Sequence, residues 1–293
     1  MTKRAIKTKS DQNQISTKIT STITKSEDNT ITIKVTVPWQ DVEAARTKIE
    51  NEAIKHVEVA GFRKGSVPRE IAKSKLSKEK IQEETLKKIL TETYMEVIKK
   101  EGLNPIVSPQ VHVDAFDEGT PLTYSAETCE APAVNLNKYK DAVSKITAKS
   151  KIIVPGKEES KPSMDEVVKA ALEEVEVKIP KVIVQQEATR LLSQMLDELK
   201  SLGLSLDQYL SSRGKKGEDL KSEYEEKAAQ DLKLEFMLRK IADVEKITVD
   251  PTDIEQALKG ITDPKQKSAV SQNPYLVAAI IRQQKTLDFI SKI

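Results

Sequence analysis

Gly61-Phe62-Arg63-Lys64-Gly65-Ser66-Val67-Pro68 is the segment around which the rest of the chain falls into order. Its two glycines and single proline disfavour helix and strand alike, so it reads as an exposed loop. Helical periodicity lies on both sides of it. Before the loop, Val42, Ala45, Ile49, Ala53 and Ile54 recur at helical spacing between Asp41 and about Val57, with Asp41 and Glu43 suited to the positive end of the helix dipole. After it, Ile81, Leu86, Leu90, Tyr94 and Val97 share one side of a long helix that Gly102 closes, and Asn104-Pro105 turns the chain.

Further out the period changes to two. Ile15, Thr17, Ile19, Ser21 and Ile23 alternate, Ser26 to Asn29 reads as a turn, and Ile31, Ile33, Val35 and Val37 resume the alternation as the second strand of a hairpin. Val111, Val113 and Ala115, then Leu122, Tyr124, Ala126 and Thr128, form a second hairpin around Asp117 to Pro121. Residues 15–130 therefore read as one α+β domain, preceded by a basic, flexible arm over 1–14 that carries Lys3, Arg4, Lys7 and Lys9.

From Ala131 the sequence becomes rich in Pro, Lys and Ser, and 131–162 reads as a connector. Ser163-x-x-Glu166 is a capping-box pattern that opens a helical second half over 163–293. Val184, Ala188, Leu191, Leu192, Met195, Leu196, Leu199 and Leu202 trace one stripe, ended by Gly203. A second long helix follows the break at Arg213 to Gly217, and Asp250-Pro251 and Asn273-Pro274 each place a good cap before a proline suited to the first helical position. The fold expected is an α+β N-terminal domain followed by an extended all-α C-terminal domain.

Composition limits the chemistry. At 293 residues with 38% apolar, 32% charged and 4% aromatic side chains, the chain is long enough for two domains and wetter than an ordinary enzyme. The net charge of +2 says nothing about partners unless charge clusters locally. A single cysteine, Cys129, excludes an internal disulfide framework and suits a reducing compartment. No apolar leader opens the sequence and no run approaches the ~20 apolar residues that span a bilayer, so a cytoplasmic protein without membrane contact is expected. His56 and His112 stand in different elements, and no phosphate loop, metal-spaced ligand set or nucleophile elbow is present. No cofactor, metal or catalytic centre is expected.

Phe62 beside Arg63 and Lys64 is the exception. An exposed aromatic with adjacent cations suits contact with protein crevices, phosphates or bases. Gly61 to Lys80 holds seven basic residues against two acidic ones, a local +5. The residues alone leave two readings open: a contact loop, or a solvated basic loop with Phe62 turned inward.

The segment Gly61 to Pro68 resembles the Gly-Phe-Arg-x-Gly-Lys-x-Pro signature of trigger factors, the ribosome-associated chaperones of bacteria. Pro109 through Glu130 with Pro132, Val177-Lys178-Ile179-Pro180, Glu245 with Ile247 and Val249, and Lys285 to Ile290 are similar to the same family in order and spacing. The resemblance implies a ribosome-binding domain over 15–130, with Gly61, Phe62, Arg63, Lys64 and Gly65 docking on protein and rRNA of the large ribosomal subunit at the tunnel exit. It also implies a substrate-binding domain over 163–293 for nascent and unfolded polypeptides, without ATP, and a homodimer off the ribosome. Ser66 departs from the family lysine, which weakens the salt-sensitive part of such a contact.

The resemblance further implies a prolyl-isomerase domain between the two halves, yet the connector is too short to hold one, so no isomerase activity is expected. Candidate client-binding residues are Leu191, Leu192, Met195, Leu196 and Leu199, with Val277, Ile280, Ile281 and Leu287 on the last helix. Packing as core remains open for each of them. Two other functions stay in view: a peptidyl-prolyl isomerase, as the family name suggests, and an RNA-binding protein using the basic run from Arg63 to Lys80.

Overall fold

The structure, a computed structural model, describes residues 19–57, 68–150, 162–259 and 273–293. The chain divides into two compact units, one containing Thr30–Glu130 and the strand before it, the other containing Ala131–Ile293 together with the turn Glu27–Asn29.

The first unit is built on a four-stranded antiparallel sheet in the order β1-β2-β4-β3. Its strands are β1 (Thr20–Lys25), β2 (Thr30–Val37), β3 (Gln110–Ala115) and β4 (Leu122–Cys129). The alternation in β2 survives as geometry: Ile31, Ile33, Val35 and Val37 all point to one face and are buried. The register sets Ile33 against Ala126, Val35 against Tyr124 and Val37 against Leu122, so the buried faces of the central strands coincide. Helices α1 (Trp39–His56) and α3 (Lys78–Glu101) cover that face with Val42, Ala45, Ile89, Val97 and Ile98. Each fully buried Val or Ile contributes ~1.5–3 kcal/mol of transfer free energy, so this shared face dominates the unit's stability.

The long helix expected from Ile81 to Gly102 forms as α3, and a short α2 (Arg69–Lys75) that the sequence reading did not separate precedes it. Leu76 is extended, and the Ser77 side chain accepts a hydrogen bond from the Lys80 amide, which starts a new helix there. Gly102 ends α3 in the left-handed region at φ 63°. Asn29 closes the first hairpin with φ 64°, and Ser26 N donates to Thr30 O across that turn.

The second unit is helical apart from a two-stranded ribbon of β5 (Val134–Asn135) and β6 (Glu176–Val177). Its helices are α4 (Tyr139–Ser150), α5 (Met164–Glu174), α6 (Lys181–Ser201), α7 (Leu206–Arg213), α8 (Gly217–Val244), α9 (Pro251–Lys259) and α10 (Pro274–Ile290). The capping box forms as the sequence reads: Glu166 N donates to Ser163 Oγ and Ser163 N to Glu166 Oε2. Asp250 N donates to Asp253 Oδ2 at the start of α9.

Two stretches differ from the sequence reading. Part of the expected connector is ordered as β5 and α4, and Tyr139, Val143 and Thr147 of α4 are buried. Their i, i+4, i+8 spacing is helical, but one polar and one aromatic member hide it in a lysine-rich stretch. Helix α7 was not anticipated; a second capping box, Ser205 with Gln208, starts it.

The larger core of this unit joins Val143, Val167, Ala171, Met237, Leu238, Ile241 and Ile290 from α4, α5, α8 and α10. A smaller one joins Met195, Leu199 and Leu220 from α6 and α8.

Candidate functional site

Gly61, Phe62, Arg63, Lys64 and Gly65 lie outside the described residues, as do Ser66 and the N-terminal arm. Their supports are described. Helix α1 is held to the core by Val42, Ala45 and Ile49 and ends at His56, and Pro68 leads into α2. Arg69 Nη2 donates to Asn51 Oδ1 at 2.7 Å, and Lys73 Nζ lies 3.1 Å from Glu50 Oε2. These two contacts fasten α2 to α1, so both ends of the loop are attached to one scaffold.

Arg69 and Lys73 belong to the basic run read from the sequence: Lys73 pairs with Glu50, a carboxylate that Arg46 also reaches at 3.4 Å, while Arg69 is bonded to the neutral amide of Asn51 and keeps its charge. Lys75, Lys78 and Lys80 are exposed, with no side-chain ion pair among the described residues.

In the helical unit the candidate apolar residues separate by burial. Met195 and Leu199 are core, and Leu192 packs beside them. Val277 is buried, and Leu287 packs on the larger core. Leu191 and Ile281 are half-buried. Leu196 and Ile280 face solvent, with relative exposures of 42% and 59%. Buried Met195, Leu199 and Val277 have too little surface left to receive a client, because α8 and its neighbours already cover that side of the stripe.

The sequence reading missed other exposed apolar residues. Tyr275 and Leu276 at the start of α10 and Leu202 and Leu204 beyond α6 are among the most open large apolar side chains, Tyr275 at 87%. Single exposed apolar residues are ordinary; grouped ones mark contact surfaces. The clustering after Asn273-Pro274 was visible as composition, but its outward face was not.

Polar contacts organise this unit without forming a reactive centre. Tyr139 Oη donates to Glu245 Oε1 at 3.0 Å, and Lys140 Nζ lies 2.7 Å from the same oxygen. Lys140 foremost, then Tyr139, holds the Glu245 carboxyl below the usual carboxylate range. Burial, then the neighbouring Glu245, pushes the Tyr139 phenol well above its ordinary value. Arg282 donates to Ile247 O at 2.9 Å and to Asp243 Oδ1 at 2.7 Å, fixing α10 to the end of α8.

Among the described residues no group of three His, Cys, Asp or Glu side chains gathers to hold a metal ion. His56 ends α1, and His112 stands exposed on β3 beside Asp114. Cys129 is buried in β4. Among the described residues no helix is long and apolar enough to cross a membrane.

Comparison with known proteins decides the family. A family model described as bacterial trigger factor protein (TF) matches residues 19–159, and a model of the bacterial trigger factor C-terminus matches residues 157–292. The chain belongs to the trigger factor family. The two matched ranges meet at 157–159, leaving no residues between the family's N- and C-terminal parts in this chain.

Trigger factor relatives include that of Staphylococcus saprophyticus, 33% identical over 122 residues, which are 42% of this chain and 28% of that protein. The trigger factor of Natranaerobius thermophilus is 32% identical over 122 residues, 42% of this chain and 27% of its own length. The matched segment thus spans little more than a quarter of either relative. A solved structure of the trigger factor chaperone, described for promiscuous substrate recognition in folding and assembly activities, has a TM-score of 0.59 with 15% identity. It covers 93% of this chain and 99% of its own, and shows the trigger factor fold.

Proposed function

We propose that this protein is an ATP-independent chaperone of the bacterial cytoplasm that docks near the ribosomal tunnel exit and holds nascent or unfolded chains. The observation that carries the reading is a family match that includes Gly61-Phe62-Arg63-Lys64-Gly65, an aromatic flanked by cations between two glycines. In this reading residues 15–130 are the ribosome-binding domain and 163–293 the chain-holding domain, with Phe62 anchoring in a protein crevice and Arg63 and Lys64 meeting rRNA phosphates.

Chain holding is supported by exposed apolar groups on the helical unit, Leu196, Ile280, Tyr275 and Leu276 among them. Such surfaces bind many unfolded sequences weakly, which needs burial of apolar area and no nucleotide. The protein acts without prolyl-isomerase chemistry, since the family's N- and C-terminal matches abut where that domain would be inserted. Off the ribosome it forms a homodimer.

The test is co-sedimentation with ribosomes, comparing the natural chain with a variant carrying Phe62→Ala, Arg63→Ala and Lys64→Ala. Association should be lost in the variant while the variant still delays aggregation of an unfolded model protein. Undiminished association would remove the loop from the reading. Equally tight binding of the natural chain to free RNA would favour a general RNA-binding protein instead.

A further inference from the structure

Helix α2 has little of its own to keep it ordered. At seven residues it falls well short of the roughly 12–15 at which an isolated helix becomes even marginal in water, so its order depends on what it packs against. Its buried residue is Ala72, and an alanine side chain brings little apolar area to the contact. Direction therefore comes from polar contacts with α1, Arg69 on Asn51 and Lys73 on Glu50. Ala72 N also donates to Pro68 O at 3.0 Å, so the placement of α2 fixes Pro68, the last residue of the Gly61 to Pro68 motif.

Glu50 is well placed to give that direction. Its side chain is only 16% exposed, against 63% for Lys73. Arg46, one turn earlier on α1, approaches Glu50 Oε1 at 3.4 Å through Nε and Glu118 Oε1 at 3.0 Å through Nη1. Held on one oxygen from within its own helix, the Glu50 carboxylate presents the other to Lys73 at 3.1 Å. Glu118, Arg46, Glu50 and Lys73 thus make a line of alternating charge from the turn before β4 across α1 to α2. A lone exposed ion pair contributes little, whereas linked pairs around a largely buried carboxylate hold a geometry.

We infer that Glu50 is a positioning residue for ribosome docking: through Lys73 it seats α2 on α1, and α2 sets where the chain leaves the Gly61 to Pro68 motif. The inference rests on the docking reading and adds to it an acidic residue that acts through Lys73 rather than by contact. Its effect has a distinctive sign. A carboxylate near rRNA repels phosphate, so on charge alone its removal tightens binding. A carboxylate that seats α2 does the reverse, and its removal weakens binding.

Titration of the full chain with purified ribosomes, paired with hydrogen exchange, tests this in Glu50→Gln, Lys73→Gln, the double variant and Lys73→Arg. Glu50→Gln and Lys73→Gln should each weaken ribosome binding by about two- to fivefold, the range that loss of one such ion pair opens. Amide exchange over 69–76 should quicken by a similar factor while that of α3 stays as in the natural chain. The double variant should lose no more than the weaker single one, since both changes remove the same contact, and Lys73→Arg, which keeps a cation within reach of Glu50, should bind normally. Unchanged or tighter binding by Glu50→Gln, or unchanged exchange over 69–76, would overturn the positioning role while leaving docking in place. If Glu50→Gln quickens exchange throughout α3, its loss is one of folding; equal affinities for Lys73→Gln and Lys73→Arg would then overturn the role. Absence of binding by the natural chain is a separate result, which removes the docking reading and this use of Glu50 with it.

Discussion

Tyr139 Oη and Glu245 Oε1 are 3.0 Å apart although 106 residues separate them in the chain. The bond ties the first turn of α4 to the C-terminal end of α8 and makes the stretch after β5 part of the helical unit's core. Lys140 reaches the same carboxylate and lies 5.9 Å from the centroid of Phe289, so α4, α8 and α10 meet at one point.

Removing the phenol should cost stability and change its pH dependence. Tyr139→Phe loses a hydrogen bond to a charged acceptor, a loss of ~1.5–3 kcal/mol in urea denaturation at neutral pH. Because the folded pKa of Glu245 is depressed, its contribution is present above the unfolded value of about 4.3 and vanishes as pH falls through the lower folded one. The folded Tyr139 pKa is raised, so its share is present below about pH 10 and lost as pH climbs beyond. An acid limb of the stability curve unaltered by Glu245→Gln would contradict the assignment.

Burial predicts opposite behaviour for two adjacent residues. Met195→Ala opens a cavity in the small core and should cost ~2–5 kcal/mol. Leu196→Ser, on the exposed side, should change stability by no more than about 0.5 kcal/mol. The Leu196 variant should instead delay aggregation of an unfolded protein less well at equal concentration. Comparable destabilisation by both changes in parallel urea titrations would show that α6 packs differently.

Gly102 should resist replacement for a purely conformational reason. A Cβ there meets nothing within 4 Å, yet φ is +63°. Gly102→Ala should therefore cost about 1 kcal/mol through left-handed strain alone, while Gly102→Asn costs less. Thermal unfolding of the two variants separates this from a packing defect, which would penalise asparagine more.

Ser66 offers a gain-of-function test of the docking proposal. Ser66→Lys restores a cation that trigger factors carry in this motif. Ribosome affinity should rise, and its logarithm should fall more steeply with salt, by up to about one further unit of slope. Titrations at several ionic strengths give that slope directly, and no change in it would place residue 66 away from phosphate.

The central strands were legible because their period is local and two-sided: Ile31, Ile33, Val35 and Val37 fix one face whatever covers it. The Ser163–Glu166 cap and the Gly102 terminus were legible for the same reason, since their bonds join residues close in sequence. The Gly61 to Pro68 motif rests on residue identity alone, whereas the two contacts between α2 and α1 could not be read from the sequence. Lys73 and Arg69 lie well beyond Glu50 and Asn51 in sequence, so their pairing depends on how α2 packs on α1.

Sequence by itself determined the α+β then all-α division and the family signature, because each rests on short-range spacing or residue identity. Tertiary structure alone decided that α4 joins the helical core and that Met195 turns inward while Leu196 turns outward. An apolar stripe specifies a helix face but not how much of it the neighbouring helix will cover.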